Sequence, residues 1–195
     1  MGWWIAAAVL ACVIVWAVMA YNRLVELRNR IANAFAQIDV QLKRRHDLVP
    51  NLVEVAKKYL SHEHDTLQAV IAARGQAQSA AAVARREPGN AQAMAGLAAA
   101  DGLLGGALGR LMVVSEAYPD LKADQTMREL SEELTSTENR IGFARQAFND
   151  AVLDFNTASQ VVPTVLVARL AGFTPASALQ ATQSEAERQP VKVQF

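Results

Sequence analysis

The residues from Gly2 to Tyr21 carry no charged side chain. About 20 residues at 1.5 Å each span the roughly 30 Å of bilayer hydrocarbon, so this run predicts a transmembrane helix. Trp3, Trp4, Trp16 and Tyr21 fall toward its two ends, where amphipathic rings favour the headgroup layer. A cleaved signal peptide needs a basic leader that Met1 and Gly2 do not supply, so the anchor is read as retained. Leu10-Ala11-Cys12 has only the outline of a lipoprotein cleavage site, because apolar residues continue from Val13 to Ala20. Cys12 reads as a small hydrophobe, and a single cysteine leaves no internal disulfide.

No helix stop follows the apolar run. Leu24, Leu27, Ile31, Phe35, Ile38, Leu42, Val49, Leu52, Val55 and Tyr59 recur at three- and four-residue steps, so the span continues into an amphipathic helix. Pro50 predicts a bend in it near His46 rather than an end. Ser61 is a candidate cap for a second helix that runs to Arg86, and Glu87-Pro88-Gly89-Asn90 is a turn. A third helix is expected from Ala91 to Ala117, and Asp124 or Thr126 opens a fourth. That fourth helix has the cleanest stripe: Met127, Leu130, Leu134, Thr137, Ile141, Ala144, Phe148, Ala151, Phe155, Ala158 and Val162. Ala, Leu, Gln, Arg and Glu dominate the composition, which favours helix throughout.

The expected fold is therefore all-α: a transmembrane anchor (1–21) continuing into a long antiparallel four-helix bundle (22–173), closed by a short membrane-proximal helix (163–173). A flexible tail, 174–195, completes the chain. The first and fourth helices are longer than the second and third, so the section nearest the membrane should be two helices thick. Its apolar side chains, among them Phe35, Phe148, Leu153 and Phe155, would then be exposed, which predicts self-association into a homo-oligomer. Residues 163–173 either lie in the membrane interface or pack on the base of the bundle.

Arg23, Arg28 and Arg30 follow the span and no Lys or Arg precedes it, which places the body in the cytoplasm. Lys and Arg balance Asp and Glu at 19 each, with basic side chains enriched toward Arg86 and acidic ones from Glu116 to Asp154. That is the pattern of complementary neighbouring helices, and it is too sparse for a nucleic-acid surface. His62-Glu63-His64-Asp65 lacks zincin spacing, because its histidines point about 200° apart on a helix. The Gly-rich run Gly102 to Gly109 follows no strand and suits close helix approach rather than phosphate binding. No catalytic, cofactor-binding or metal-binding residue is expected.

Asp39, Arg44, Asn51, Glu138, Asn139, Arg140, Asn149 and Asn156 interrupt or flank the apolar stripes. They form a candidate interhelical polar network, which either fixes helix register or makes a binding surface. The run Gln37 to Val53 with its Lys43-Arg44-Arg45-His46-Asp47-Leu48-Val49-Pro50-Asn51 core, Glu116 to Ala123, Thr137-Glu138-Asn139-Arg140-Ile141, and the pairs Phe148-Asn149 and Phe155-Asn156 resemble the LemA family in order and spacing. The resemblance extends from Trp3 to Phe173. It implies a membrane-anchored helical bundle of the bacterial inner membrane with no catalytic residues to transfer. It also implies an association with membrane stress, with magnetosome membranes, and with a membrane-embedded zinc metalloprotease. Phe148 and Phe155 stand where that family often has Tyr.

The last residues, Pro190 to Phe195, alternate apolar and polar, and Val191, Val193 and Phe195 suit addition to a partner's sheet edge. The functional expectation is a non-enzymatic scaffold or adaptor in contact with membrane lipid, other membrane proteins and itself. The alternative is a coat that shapes the membrane directly.

Overall fold

The computed structural model describes residues 2–179, and every regular element among them is a helix. In chain order these are α1 (Gly2–Lys57), α2 (His64–Arg86), α3 (Ala91–Ser115), α4 (Pro119–Ala123), α5 (Gln125–Gln160) and α6 (Thr164–Leu170).

α1 is one uninterrupted helix from the apolar run to the far end of the body, and it passes through Pro50. Proline has no N–H, so the carbonyl four residues earlier, on His46, loses its intrahelical donor. Arg74 of α2 supplies the replacement, its Nε donating to the His46 carbonyl at 2.7 Å. The helix therefore continues, and the proline doubles as a docking point for α2.

Local chemistry sets the other boundaries. Asn90 caps α3, its Oδ1 accepting from the backbone N–H groups of Gln92 and Ala93 at 3.0 and 3.1 Å. Asp124 caps α5 through Met127 N–H at 2.9 Å, and Tyr59 donates its hydroxyl to the other carboxylate oxygen at 3.0 Å. These two bonds to Asp124 draw its carboxyl below the ordinary Asp value and tie the end of α1 to the start of α5. Ser61 caps nothing: Leu60 is drawn into the core, the chain turns there, and α2 begins at His64 without a side-chain cap. α4, which periodicity does not signal over so few residues, starts on Pro119 and buries Leu121.

Beyond Tyr21, α1 packs against α2 and α5, and α2 packs against α3. Its stripe from Leu24 to Val55 is buried, as are Met127, Leu134, Thr137, Ile141, Ala144, Phe148 and Phe155 on α5. Val162 lies beyond the end of α5 and is exposed. The far half of the core gathers Leu52, Leu60, Val70, Leu104, Leu111 and Leu121. The half toward the membrane gathers Ile31, Phe35, Met94, Phe148 and Phe155, with Phe35 edge-on to Phe148 at 5.8 Å between centroids. Ala73, Ala77, Ala81 and Ala84 on α2 are the small side chains that admit close packing in both halves.

Of the apolar stalk next to the membrane, Phe35, Phe148 and Phe155 are buried, against the sequence expectation, while Leu153 is exposed as expected. α5 ends at Gln160, and α6 leaves it at 97°. The C-terminus of α6 then closes as a Schellman turn: Phe173 N–H reaches Ala168 O at 2.9 Å and Gly172 N–H reaches Arg169 O at 3.2 Å, with Gly172 at φ 72°. Phe173 thereby meets both Tyr21, tilted, and Phe155, edge-on, with ring centroids 5.7 and 6.1 Å apart. Residues 174–179 double back along the bundle and bury Leu179. As a result Leu24, Leu27, Ile31, Phe35, Phe148 and Phe155 are all at most 2% exposed. The expected flexible tail does not begin at Thr174, and residues 180–195, with Val191, Val193 and Phe195, lie outside the described residues.

Residues 2–21 touch no other part of the described chain closely enough to be buried, as a lipid-facing span requires. α3 is also long and apolar enough to cross a membrane by composition, yet a third of it is buried within the body.

Candidate interaction site

The eight polar residues singled out in the sequence fall into separate places. Asp39 of α1 holds Arg85 of α2 in a bidentate pair at 2.7 and 2.8 Å. Arg44 of α1 meets Glu133 of α5, its Nε donating at 3.0 Å. In each pair the arginine side chain is more than half exposed, which limits the contribution to about 1 kcal/mol. Asn51, Asn139 and Arg140 are exposed and join none of the others.

Glu138 belongs to a different assembly, which sequence patterns do not reveal. Asp101 of α3 is buried and accepts from Arg45 of α1 on one carboxylate oxygen and from Arg145 of α5 on the other. Arg45 Nε lies 2.6 Å from Glu138 Oε1, an ion-pair contact without hydrogen-bond alignment. Three helices thus converge on one carboxylate, with two cations and two anions in balance. Gly105 lies one turn further along α3, where a Cβ would stand 3.5 Å from the Arg45 guanidinium. His46, beside Arg45, is also buried and its Nε2 has no partner. Burial first, then the charge of Arg45, hold its imidazole below the ordinary value, with Asp101 opposing. Burial raises the Glu138 carboxyl, and Arg45 opposes that rise. One signal was available: Asp101 is the sole charged residue from Ala91 to Gly109. Among the described residues no three His, Cys, Asp or Glu side chains converge on a metal-sized site.

Asn149 and Asn156 form a third arrangement. The Asn156 amide accepts from Ala176 N–H at 2.9 Å and donates to Ala176 O at 2.8 Å. The Asn149 amide does the same to Leu179, at 2.9 and 3.1 Å. Seven helical residues rise about 10.5 Å, and three extended residues advance about 10 Å. The heptad spacing of the asparagines therefore matches the three-residue spacing of the backbone they hold. Each side chain replaces a neighbouring strand for the returning segment.

A span-length apolar helix that runs unbroken into a helical body, with its polar groups spent on holding helices and a returning segment together, defines a membrane-associated helical protein. The chain belongs to the LemA family, whose model matches residues 34–195 and so includes the C-terminal segment beyond Phe173. Similar proteins include the magnetosome protein MamQ of Magnetospirillum gryphiswaldense, 28% identical over 170 residues, or 80% of this chain and 62% of the relative. The magnetosome proteins MamQ 1 and MamQ 2 of Paramagnetospirillum magneticum are each 28% identical over 177 residues, 83% of this chain and 65% of the relative. The chain spans less than two thirds of the length of these relatives.

Replacing Asp101 by Ala strands Arg45 and Arg145, and chemical denaturation in detergent should show a loss of about 3–5 kcal/mol. Converting Asn149 and Asn156 together to Ala should release residues 174–179, seen as fast hydrogen exchange at the Ala176 and Leu179 amides while α5 stays protected.

Proposed function

We propose that the protein is a non-catalytic, single-pass membrane scaffold, with its body on the cytoplasmic side, that docks other membrane proteins along the outer face of α3. The supporting observation is the chemistry of that face. Ala95, Gly96, Ala99, Gly102, Leu103, Gly106 and Gly109 are exposed on it. No charge is exposed from Ala91 to Gly109, because Asp101 points inward. A glycine inside a helix costs roughly 0.5–1 kcal/mol relative to alanine. A Cβ at Gly96, Gly106 or Gly109 would meet nothing within 4 Å, so the fold of the single chain has no need of glycine there. A partner helix gains from it, since small residues let backbones approach closely.

A membrane-embedded metalloprotease is one partner class that the family resemblance implies, and the relatives' names place them with magnetosomes. Self-association remains part of the proposal through the apolar side chains still exposed near the membrane, Leu153 among them, since α6 and residues 173–179 cover only the inward side of the stalk. A tail hook through Val191, Val193 and Phe195 remains part of the proposal. The test is affinity capture of full-length protein from gently solubilised membranes, beside a G106L/G109L variant and a version ending at Leu179. Loss of a partner from the glycine variant, with helicity unchanged, supports docking on α3. Unchanged partners in that variant refute it, and loss only from the truncated chain assigns the contact to the tail.

A second reading, that of a membrane-shaping coat, rests on α6. Leu170 is 91% exposed and Val162 82%, with Leu166 beside them, and Phe173 pins this corner to Tyr21 at the end of the span. If lipid is the substrate, purified protein should deform vesicles, and L166Q/L170Q should abolish the effect.

A further inference from the structure

A cleft of about 600 Å³ opens beside α1 just beyond the membrane span, between α1, the turn from α2 to α3, and residues 172–177. Its wall is apolar where Phe173, Pro88 and Pro175 line it, with Ile31 and Phe155 buried behind them, and its rim carries Arg28 from α1 and Arg86 from the end of α2. Arg23 and Arg30 both bond Glu26, at 2.8 and 2.7 Å, and Arg85 bonds Asp39, while Arg169 on α6 lies outside the cleft lining. Arg28 and Arg86 make no hydrogen bond or ion pair among the described residues. The single acid on the rim, Glu87, accepts from Asn90 Nδ2 at 3.0 Å and offsets one of the two charges. The start of α3 at Asn90 and Ala91 also faces the cleft and adds the positive end of its dipole.

The level of the cleft identifies the ligand. Phe173, in its wall, packs against Tyr21, the last aromatic residue of the span. Arg28 is seven residues further, about 10 Å along the helix. The headgroup layer on one side of a bilayer is about 5–8 Å deep, and an arginine side chain reaches across the remaining gap. Guanidinium groups bind phosphate oxygens in a bidentate fashion. We propose that this cleft binds the phosphodiester of an anionic phospholipid between Arg28 and Arg86, with the glycerol end of the lipid against Phe173 and Pro88.

The test uses full-length protein in neutral detergent, with lipid binding read by native mass spectrometry against added phosphatidylglycerol or phosphatidylcholine. Wild type should retain phosphatidylglycerol at least tenfold better than phosphatidylcholine. R28Q/R86Q should lose most of that preference, and E87Q should strengthen it. R23Q/R30Q removes the same number of arginines beside the span and should keep the preference. Circular dichroism checks that each variant is folded, which their exposed positions favour. Equal loss in both double variants would assign the effect to the diffuse juxtamembrane charge and overturn the cleft. Arginine-dependent binding of inorganic phosphate as tight as that of the lipid would overturn the lipid as ligand. The version ending at Leu179 should bind as wild type does; a large gain on truncation would make the chain's own C-terminal acids the occupant instead.

Discussion

Two helices cannot shield each other's apolar faces on every side, and next to the membrane α1 and α5 are the only long helices present. The rest of the fold answers that constraint. α2 and α3 cover the faces of α1 and α5 as far down as the turn at Pro88 and Gly89, where a Cβ on Gly89 would touch Ala176. Below that level the chain covers itself. α6 turns across the base, Gly172 reverses the direction, and Phe173 to Leu179 close over Phe155 and Val152. The returning segment is not a helix and has no strand beside it, so its backbone needs donors and acceptors from elsewhere. Asn149 and Asn156 provide them.

Most of the helical frame was legible in the sequence because burial on one face imposes a period. Every stripe position from Leu24 to Val55 is buried, and the cap at Asp124 and the turn at residues 87–90 follow from side-chain chemistry. What was not legible has no period. The two asparagines stand out as polar residues at heptad spacing, but their partner is backbone, which carries no residue-type signal. Residues 174–179 read as a tail by composition, and only their pairing with the asparagines and the burial of Leu179 makes them structure. The buried charge cluster was missed for another reason. Arg45 and Arg145 sit among other arginines in their helices, and only Asp101, the sole charge from Ala91 to Gly109, betrays the cluster. That Pro50 does not end α1 was legible from the stripe continuing past it, but the sequence does not show that Arg74 stands opposite the carbonyl the proline frees.

Charge has two uses in this molecule. At the surface, pairs such as Asp39 with Arg85 add little stability and leave the helices free to differ in detail. In the interior, Asp101 admits one alignment of α1, α3 and α5, because a slide by one turn would leave a buried cation without a partner. The apolar core rewards many alignments almost equally, and the cluster selects one.

The continuity of α1 also has a mechanical meaning. No hinge or linker separates the part in lipid from the part in water, and the 36 residues after Tyr21 form an arm of about 54 Å. Helices tilt when their apolar length and the bilayer thickness disagree. On an arm of that length, each 10° of tilt in the span carries the far end of the body about 9 Å sideways. A local change in bilayer thickness is thereby converted into a displacement of the body's far end, tens of ångströms away.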